Sequence, residues 1–412
     1  MDFDLTDLDL FEKGFPQEIF TWLRREDPVH WHEPTDHTPD GEGFWVVSRH
    51  ADAMRVLLDP ETFSSVTGGA RPHGGSFLQD SPFAGVMLNM MDPPRHDRIR
   101  ALVNKGFTPR RIADLADGLR RRARAIVAEA ASGDGACDFV VGVARELPLQ
   151  AICMLLGVPQ SDRTRLCDWV DTTLEHAGRE LYESTEEVRE ASTGVQRYGA
   201  DLIARRRREP ADDLLSVVIH AELPGADPSG LSDGELLMFF FLLFVAGSET
   251  TRKAIAGGLL ALLETGQWER LRRERSLLPR AVEEIVRWTT PSVYKRRTLT
   301  RDTELGGRVL RTGQKLTFWE MSANRDEEVF ADPFSFDVGR SPNPHLGFGH
   351  GVHYCLGANL ARLEVRVMLE ELLDGGRDIE VAGAPVWTRD NRLFGLKHLP
   401  VWLGPETRAR RT

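Results

Sequence analysis

Residues 345–362 read His345-Leu-Gly-Phe348-Gly349-His350-Gly351-Val-His353-Tyr-Cys355-Leu-Gly357-Ala-Asn-Leu-Ala-Arg362, a glycine-rich loop that runs directly into an apolar helix. Cys355 stands where that helix begins. A thiolate there faces unpaired backbone N–H groups and the positive end of the helix dipole, which favour the ionised, metal-ligating form. Glycines at 349, 351 and 357 let the backbone approach a flat ligand closely, because no Cβ intervenes. The residues alone leave two other uses open. Cysteine is often simply a buried apolar residue, the expectation for Cys137, Cys153 and Cys167. His345, His350, His353 and Cys355 also carry ligand types that suit zinc.

Phe348, Gly349, Gly351, His353, Cys355 and Gly357 resemble, position by position, the haem-binding signature of the cytochrome P450 family. The resemblance implies haem b (iron protoporphyrin IX) as cofactor and Cys355 as the axial ligand of its iron. In this family the thiolate pushes electron density toward the metal and favours O–O cleavage.

A second segment points the same way. Ser232 and Glu235 form a capping box that opens a helix expected over about 232–264. Its sides are apolar nearly all round, so it is expected to cross the interior. Into it the sequence inserts Ala246-Gly247-Ser248-Glu249-Thr250-Thr251. Mid-helix Gly costs about 1 kcal/mol relative to Ala, and Glu in a core costs more unless paired or hydrated. Leu243, Ala246, Gly247, Thr250 and Ala254 share one face, leaving a gap beside a hydroxyl. Thr250 can also bond back to the Ala246 carbonyl and loosen the helix. Tight helix packing at Gly247, with Glu249 and Thr250 solvated, would give the same pattern. The family carries this Ala-Gly-x-acid-Thr segment over the oxygen side of the haem. The resemblance implies that Glu249 and Thr250 are catalytic and deliver protons to dioxygen.

Glu284 and Arg287 form Glu-x-x-Arg on an apolar helix, where the family has a structural ion pair, and Arg340 is the expected partner. Glu186/Arg189 and Glu269/Arg272 have the same spacing, but solvated helix faces explain those. Haem propionates need cationic or N–H donors. The resemblance assigns His96, Arg100, Arg297 and His353 to them. By position relative to the family motifs, Phe77, Met87, Leu88, Phe239, Leu243, Ala246, Val293 and Phe394 are the expected substrate pocket.

Helical periodicity covers Pro94–Gly106, Pro109–Ala131, Asp138–Leu156, Ser161–His176, Glu183–Arg208, Ser232–Glu264, Trp268–Glu274, Pro279–Trp288 and Gly357–Leu373. Strand-like stretches are short: Phe44–Ser48, Lys295–Leu299, Arg308–Leu310, Lys315–Trp319 and Val401–Leu403. The fold class expected is mainly α with small peripheral β-sheets, a single P450 domain over 1–412. Ser64–Asp92 is irregular and rich in Gly and apolar residues, as a loop covering a binding site would be.

The 52 Lys and Arg against 63 Asp and Glu give a formal charge of −11, which argues against nucleic acid as a partner. Four cysteines are too few for a disulfide framework and suit a reducing, cytoplasmic setting. The acidic N-terminus lacks a signal pattern, and the apolar run 236–247 is shorter than the roughly 18 residues of a span, so no membrane anchor is expected.

The expected function is a monooxygenase that inserts one oxygen atom from O2 into a C–H bond of a bulky hydrophobic small molecule, with terpenoids, steroids or branched lipids favoured. Antibiotic tailoring of polyketides or peptides is the alternative. A haem-thiolate sensor without turnover is the alternative of another class, and a peroxide-driven peroxygenase a third. No nucleotide-binding, flavin or iron–sulfur motif appears, so a ferredoxin and its reductase are the expected electron donors. Arg98, Lys105, Arg110, Arg111 and Arg362 are the expected basic docking patch.

Overall fold

The computed structural model describes residues 1, 3–104, 106–177, 185–222 and 230–406. Lys105 and the first two residues of the Glu183–Arg208 expectation lie outside them. The organising element is the helix Asp233–Glu264, 32 residues and about 48 Å long. Its start follows from the capping box: Ser232 Oγ accepts the Glu235 N–H and Glu235 Oε2 accepts the Ser232 N–H. Helices Glu146–Leu156, Glu186–Arg208, Leu278–Thr289 and Ala358–Asp374 pack around it. Length and composition alone would let this helix cross a membrane, but its buried residues from Leu236 to Leu262 make it the core of this bundle.

A five-stranded sheet stands beside the helices, in the order Val29–His32, Phe44–Val47, Lys315–Trp319, Tyr294–Leu299, Phe63–Ser64. Val401–Leu403 falls within a strand, Pro400–Leu403, paired with both Ala136–Asp138 and Ile379–Val381. Arg308–Leu310 closes a hairpin with Thr303–Leu305.

Three expected helices differ in detail. Pro109–Ala131 divides at Leu115 into Pro109–Asp114 and Ala116–Ala130. Asp138 begins no helix: it ends a strand, its carboxylate accepts the Val140 N–H and contacts His398, and a π-helical turn Val140–Ala144 precedes Glu146–Leu156. Helix Ala358–Asp374 has Gly357 as its N-cap, so Cys355 lies two residues before the cap. Helices Gln17–Glu26 and His50–Leu58 were not anticipated.

Within Ser64–Asp92 the ends are tied together, since Asp92 accepts from the Ser65 N–H at 2.8 Å and the Ser64 hydroxyl at 2.5 Å. Further along, Arg71 bridges Glu42 and Asp80, and Asp80 also holds Arg296 of the sheet. The loop is therefore fastened to the sheet by charge.

Glu284 and Arg287 have no exposed side-chain surface and form a bidentate pair at 2.7 Å. Arg340 Nε reaches Glu284 at 3.1 Å, and Asn343 and the Asp337 N–H complete the carboxylate's partners. Arg287 also donates to the carbonyls of Asn324, Pro333 and Ser335, and Arg340 to those of Ala331, Asp332 and Ser335. A buried pair this fully bonded is costly to break from one side. Glu284→Ala is expected to lower the unfolding free energy by about 3–5 kcal/mol. Glu186→Ala and Glu269→Ala break exposed pairs of the same spacing and are expected to cost at most about 1 kcal/mol. Urea titration of the three variants checks this; equal losses would mean that burial is not what distinguishes Glu284.

Candidate functional site

The cysteine loop is shaped by its own backbone. Cys355 N–H donates to the Phe348 carbonyl at 2.8 Å, and Gly349 has φ +67°. Gly351 serves a neighbour rather than a ligand, because a Cβ there would lie 2.5 Å from the Leu57 carbonyl oxygen. A Cβ on Gly357 would meet open space, the arrangement that leaves room for a flat group.

Cys355 is exposed, yet protein surrounds it densely, so its sulfur faces a cleft rather than the outer surface. Burial pushes its thiol pKa up; the Gly357 N–H and the charges of Lys295, Arg100 and Arg362 act the other way without overcoming it. Arg362 is itself bound, donating two hydrogen bonds to Glu283 and one to the Tyr354 hydroxyl, with its guanidinium 4.4 Å from the Phe348 ring. His345 also contacts Glu283, at 3.1 Å, and those partners hold the Glu283 carboxyl down near about 2 despite burial. Among the described residues no three His, Cys, Asp or Glu side chains gather to hold a metal ion. The zinc alternative finds no ligand set here.

Four sequence-derived cationic or imidazole residues meet beside the loop. His353 Nε2 lies 3.0 Å from Ser65 Oγ, and its ring centroid is 4.5 Å from that of His96. Arg100 donates to the Tyr354 carbonyl at 2.6 Å. Arg297 is buried, lies 5.3 Å from the Phe318 ring, and donates only to the Arg296 carbonyl among the described residues. Burial lowers its pKa to about 10. Burial, with the charges of Arg297, His96, Arg100 and Lys295, drives His353 down to about 2. Like charges collected in a dry place call for an anion. A flat group bearing two carboxylates and a metal able to take a thiolate fits this donor set.

On the long helix, Ala246 is exposed and Thr250 half-exposed, although Leu243, Phe244, Ser248 and Glu249 beside them are buried. Thr250 Oγ1 donates to the Ala246 carbonyl at 2.9 Å, as the spacing suggested. Gly247 is different: a Cβ there would lie 2.8 Å from Ile152 Cδ1, so Gly247 permits a close helix crossing and adds no free space. Glu249 is not solvated. It pairs with Arg252 and, at 3.2 Å, with Lys253; these cations outweigh burial and hold its pKa low. The pairing continues from Arg252 to Asp171 and on to Arg145, which also donates to Cys167. Nothing in the helical spacing announced Asp171 and Arg145, since they come from distant segments.

The expected pocket residues do not all meet. Leu88, Phe239 and Leu243 join the large helical core and Met87 is buried, while Phe77 is half-buried with Arg392 4.3 Å from its ring. Val293 and Phe394 belong instead to an aromatic cluster with Phe11 and Trp319, and Phe394 stacks on Trp387 at 5.2 Å. Both are buried, as are Met87, Leu88, Phe239 and Leu243.

Comparison with known proteins follows this geometry. Residues 143–375 match the family model for cytochrome P450. A Mycobacterium tuberculosis protein named as cytochrome P450 126 is 55% identical over 402 residues, covering 97% of each chain; its name assigns no substrate. The steroid C26-monooxygenase of Mycolicibacterium smegmatis is 39% identical, over 97% of this chain and 93% of that one. Among solved structures, Mycobacterium marinum cytochrome P450 CYP268A2 in complex with pseudoionone superposes with a TM-score of 0.85 at 37% identity, over 94% of each chain.

The packing at Gly247 makes a prediction that opposes helix propensity. Gly247→Val is expected to destabilise by about 1–3 kcal/mol through overpacking, and adding Ile152→Ala should recover part of that loss. Denaturant midpoints of the single and double variants measure it; a stabilised Gly247→Val would show that the crossing is not tight.

Proposed function

The chain belongs to the cytochrome P450 family, a monooxygenase with a haem-thiolate cofactor, and from that premise we propose its substrate class and the work of its residues. The substrate is a bulky hydrophobic small molecule, a terpenoid, steroid or branched lipid, hydroxylated at an unactivated C–H bond. Support comes from the apolar residues Met87, Leu88, Phe239 and Leu243, and from relatives named for a steroid and solved with pseudoionone. A lining of this kind selects by burial and shape more than by oriented polar contacts.

The observation that carries the assignment of residues is the pairing of two anomalies: a deep cysteine open to a cleft, and an open Ala246–Thr250 face on a buried helix. Haem, taken as haem b, supplies the oxygen activation when bound. Cys355 would supply the thiolate to its iron, and His96, Arg100, Arg297 and His353 would hold its carboxylates. Thr250 presents a hydroxyl whose proton is directed to the Ala246 carbonyl until another acceptor competes. Glu249 accepts or passes a proton only after turning from Arg252 and Lys253, so those cations set when it acts. Glu284, Arg287 and Arg340 fix the backbone beneath. The protein works as one domain, in the cytoplasm, with electrons from a ferredoxin and its reductase. Arg98, Arg110 and Arg111 are exposed and form the docking patch; Arg362, committed to Glu283, drops out of it.

Cys355→Ala is expected to abolish the ferrous–carbon monoxide spectrum typical of thiolate ligation, and an unchanged spectrum would refute the ligand assignment. Thr250→Ala is expected to keep its haem while product per electron pair falls at least about tenfold, the difference appearing as peroxide. Unchanged coupling would remove Thr250 from proton delivery. Charge reversal at Arg110 and Arg111 is expected to slow ferredoxin-driven turnover and flatten its salt dependence; stopped-flow reduction at several ionic strengths decides.

A further inference from the structure

Lys295 and the buried Glu320 form an ion pair with no place yet in the site. Lys295 lies on the strand Tyr294–Leu299 two residues before Arg297, so both side chains leave the same face of the sheet. Arg296, between them, goes to the other face and bonds Asp80 and the carbonyls of Phe77 and Leu78. Lys295 therefore shares the direction of the cluster that includes Arg297, and its charge is felt at both His353 and Cys355.

Glu320 opens the short helical turn Glu320–Ala323 and has no exposed side-chain surface, whereas Lys295 keeps 29% of its own. Only one carboxylate oxygen is used. Glu320 Oε1 is buried without a hydrogen-bond partner, on the side where a Cβ at Gly349 of the cysteine loop would lie 3.6 Å away. A pair kept for stability alone is poorly served by this arrangement, because desolvation of both charges is repaid only when every lone pair is satisfied. The fully bonded Glu284 in the same protein shows what that looks like. Lys295 also adds positive charge around His353, where Arg297 and Arg100 already contribute theirs.

An anionic group at the cluster removes both difficulties. We propose that Lys295 is a fifth contact for the carboxylates of the haem, and that Glu320 is the positioning residue that steers its ammonium toward the cleft and offsets one charge of the cluster. This rests on the haem-thiolate reading above. One-electron reduction adds a negative charge at the haem, so taking away a neighbouring cation would destabilise the ferrous form more than the ferric one, and the midpoint potential would fall. Removing the Glu320 charge does the reverse.

The test uses the haem-loaded protein and three variants: Lys295→Met, Lys295→Arg and Glu320→Gln. Haem transfer to excess apomyoglobin is expected to be about tenfold faster in Lys295→Met, the scale of one lost charged hydrogen bond, and near the parent rate in Lys295→Arg. The ferric–ferrous midpoint potential is expected to fall in Lys295→Met and rise in Glu320→Gln. A merely structural pair would leave the rate of haem transfer from Lys295→Met near that of the parent. Haem transfer from Lys295→Met within about twofold of the parent, or potentials shifted with the same sign, overturns the proposal. If Lys295→Met does not fold, Glu320→Gln decides: a fall or no change in its potential overturns the proposal. Absence of a thiolate-type carbon monoxide spectrum in the parent would instead defeat the haem-thiolate reading itself.

Discussion

A thiol set deep in a protein stays a thiol unless something holds the charge of its anion, and that constraint governs how this chain is built around Cys355. One backbone N–H, from Gly357, and the charges of Lys295, Arg100 and Arg362 favour the thiolate, yet burial still wins and the pKa is raised. A metal ion is what tips such a balance, since coordination deprotonates a thiol outright. The loop that carries Cys355 is firmly held by its neighbours. Its support is layered: Glu283 ties down His345 and Arg362, and the Leu57 carbonyl comes so close to Gly351 that no side chain could stand there.

The long helix answers a different demand, to be well packed and locally open at once. Gly247 and Ala246 divide that task between adjacent residues. Gly247 brings the Glu146–Leu156 helix close through Ile152, and Ala246, turned about 100° away, keeps its small side chain in the open. Thr250 bonding back to the Ala246 carbonyl satisfies its hydroxyl internally. Glu249, one residue before it, is clamped by two cations. Acid and alcohol are neighbours in sequence but sit in opposite electrostatic settings, one charged and paired, the other neutral and partly exposed.

Much of this was legible in the sequence because the decisive signals are local. The capping box at Ser232, the Glu284–Arg287 spacing on an apolar helix and the cysteine loop each lie within a few residues, where periodicity and turn chemistry act. The cation cluster was partly legible: His353 and Arg297 stand in recognisable segments, while Lys295, in the same strand as Arg297, passed as an ordinary strand lysine. Its meaning depends on Glu320, 25 residues on, and on a register that pairs Lys295 with Phe318. Asp171 and Arg145 escaped for the same reason, since their link to Glu249 runs between three helical segments. The pocket was least legible. Val293 and Phe394 are apolar and near the right motifs, but whether an apolar side chain faces a cleft or an aromatic core is decided by tertiary packing alone. Gly351 shows the same limit, for a glycine required by a carbonyl and one required by a ligand read alike.

The charge pattern also bears on how an acidic electron donor could approach a chain whose formal charge is −11. The buried cations are spent inside: Arg24 on Glu327 and Ser322, Arg287 on Glu284, Arg296 on Asp80, Lys315 on Asp40 and Glu42. None of these is available at the surface. Net charge, however, is felt only at long range, and at physiological salt the screening length is about 8 Å. Within that distance a partner meets local groups. Arg98, Arg110 and Arg111 are exposed on or just after the helix that carries His96 and Arg100, and Asp212 opposes Arg111 only at 3.5 Å from a nearly fully exposed position. The segment that supplies Arg100 inward thus also presents cations outward, so the global acidity of the protein and a locally basic surface are compatible.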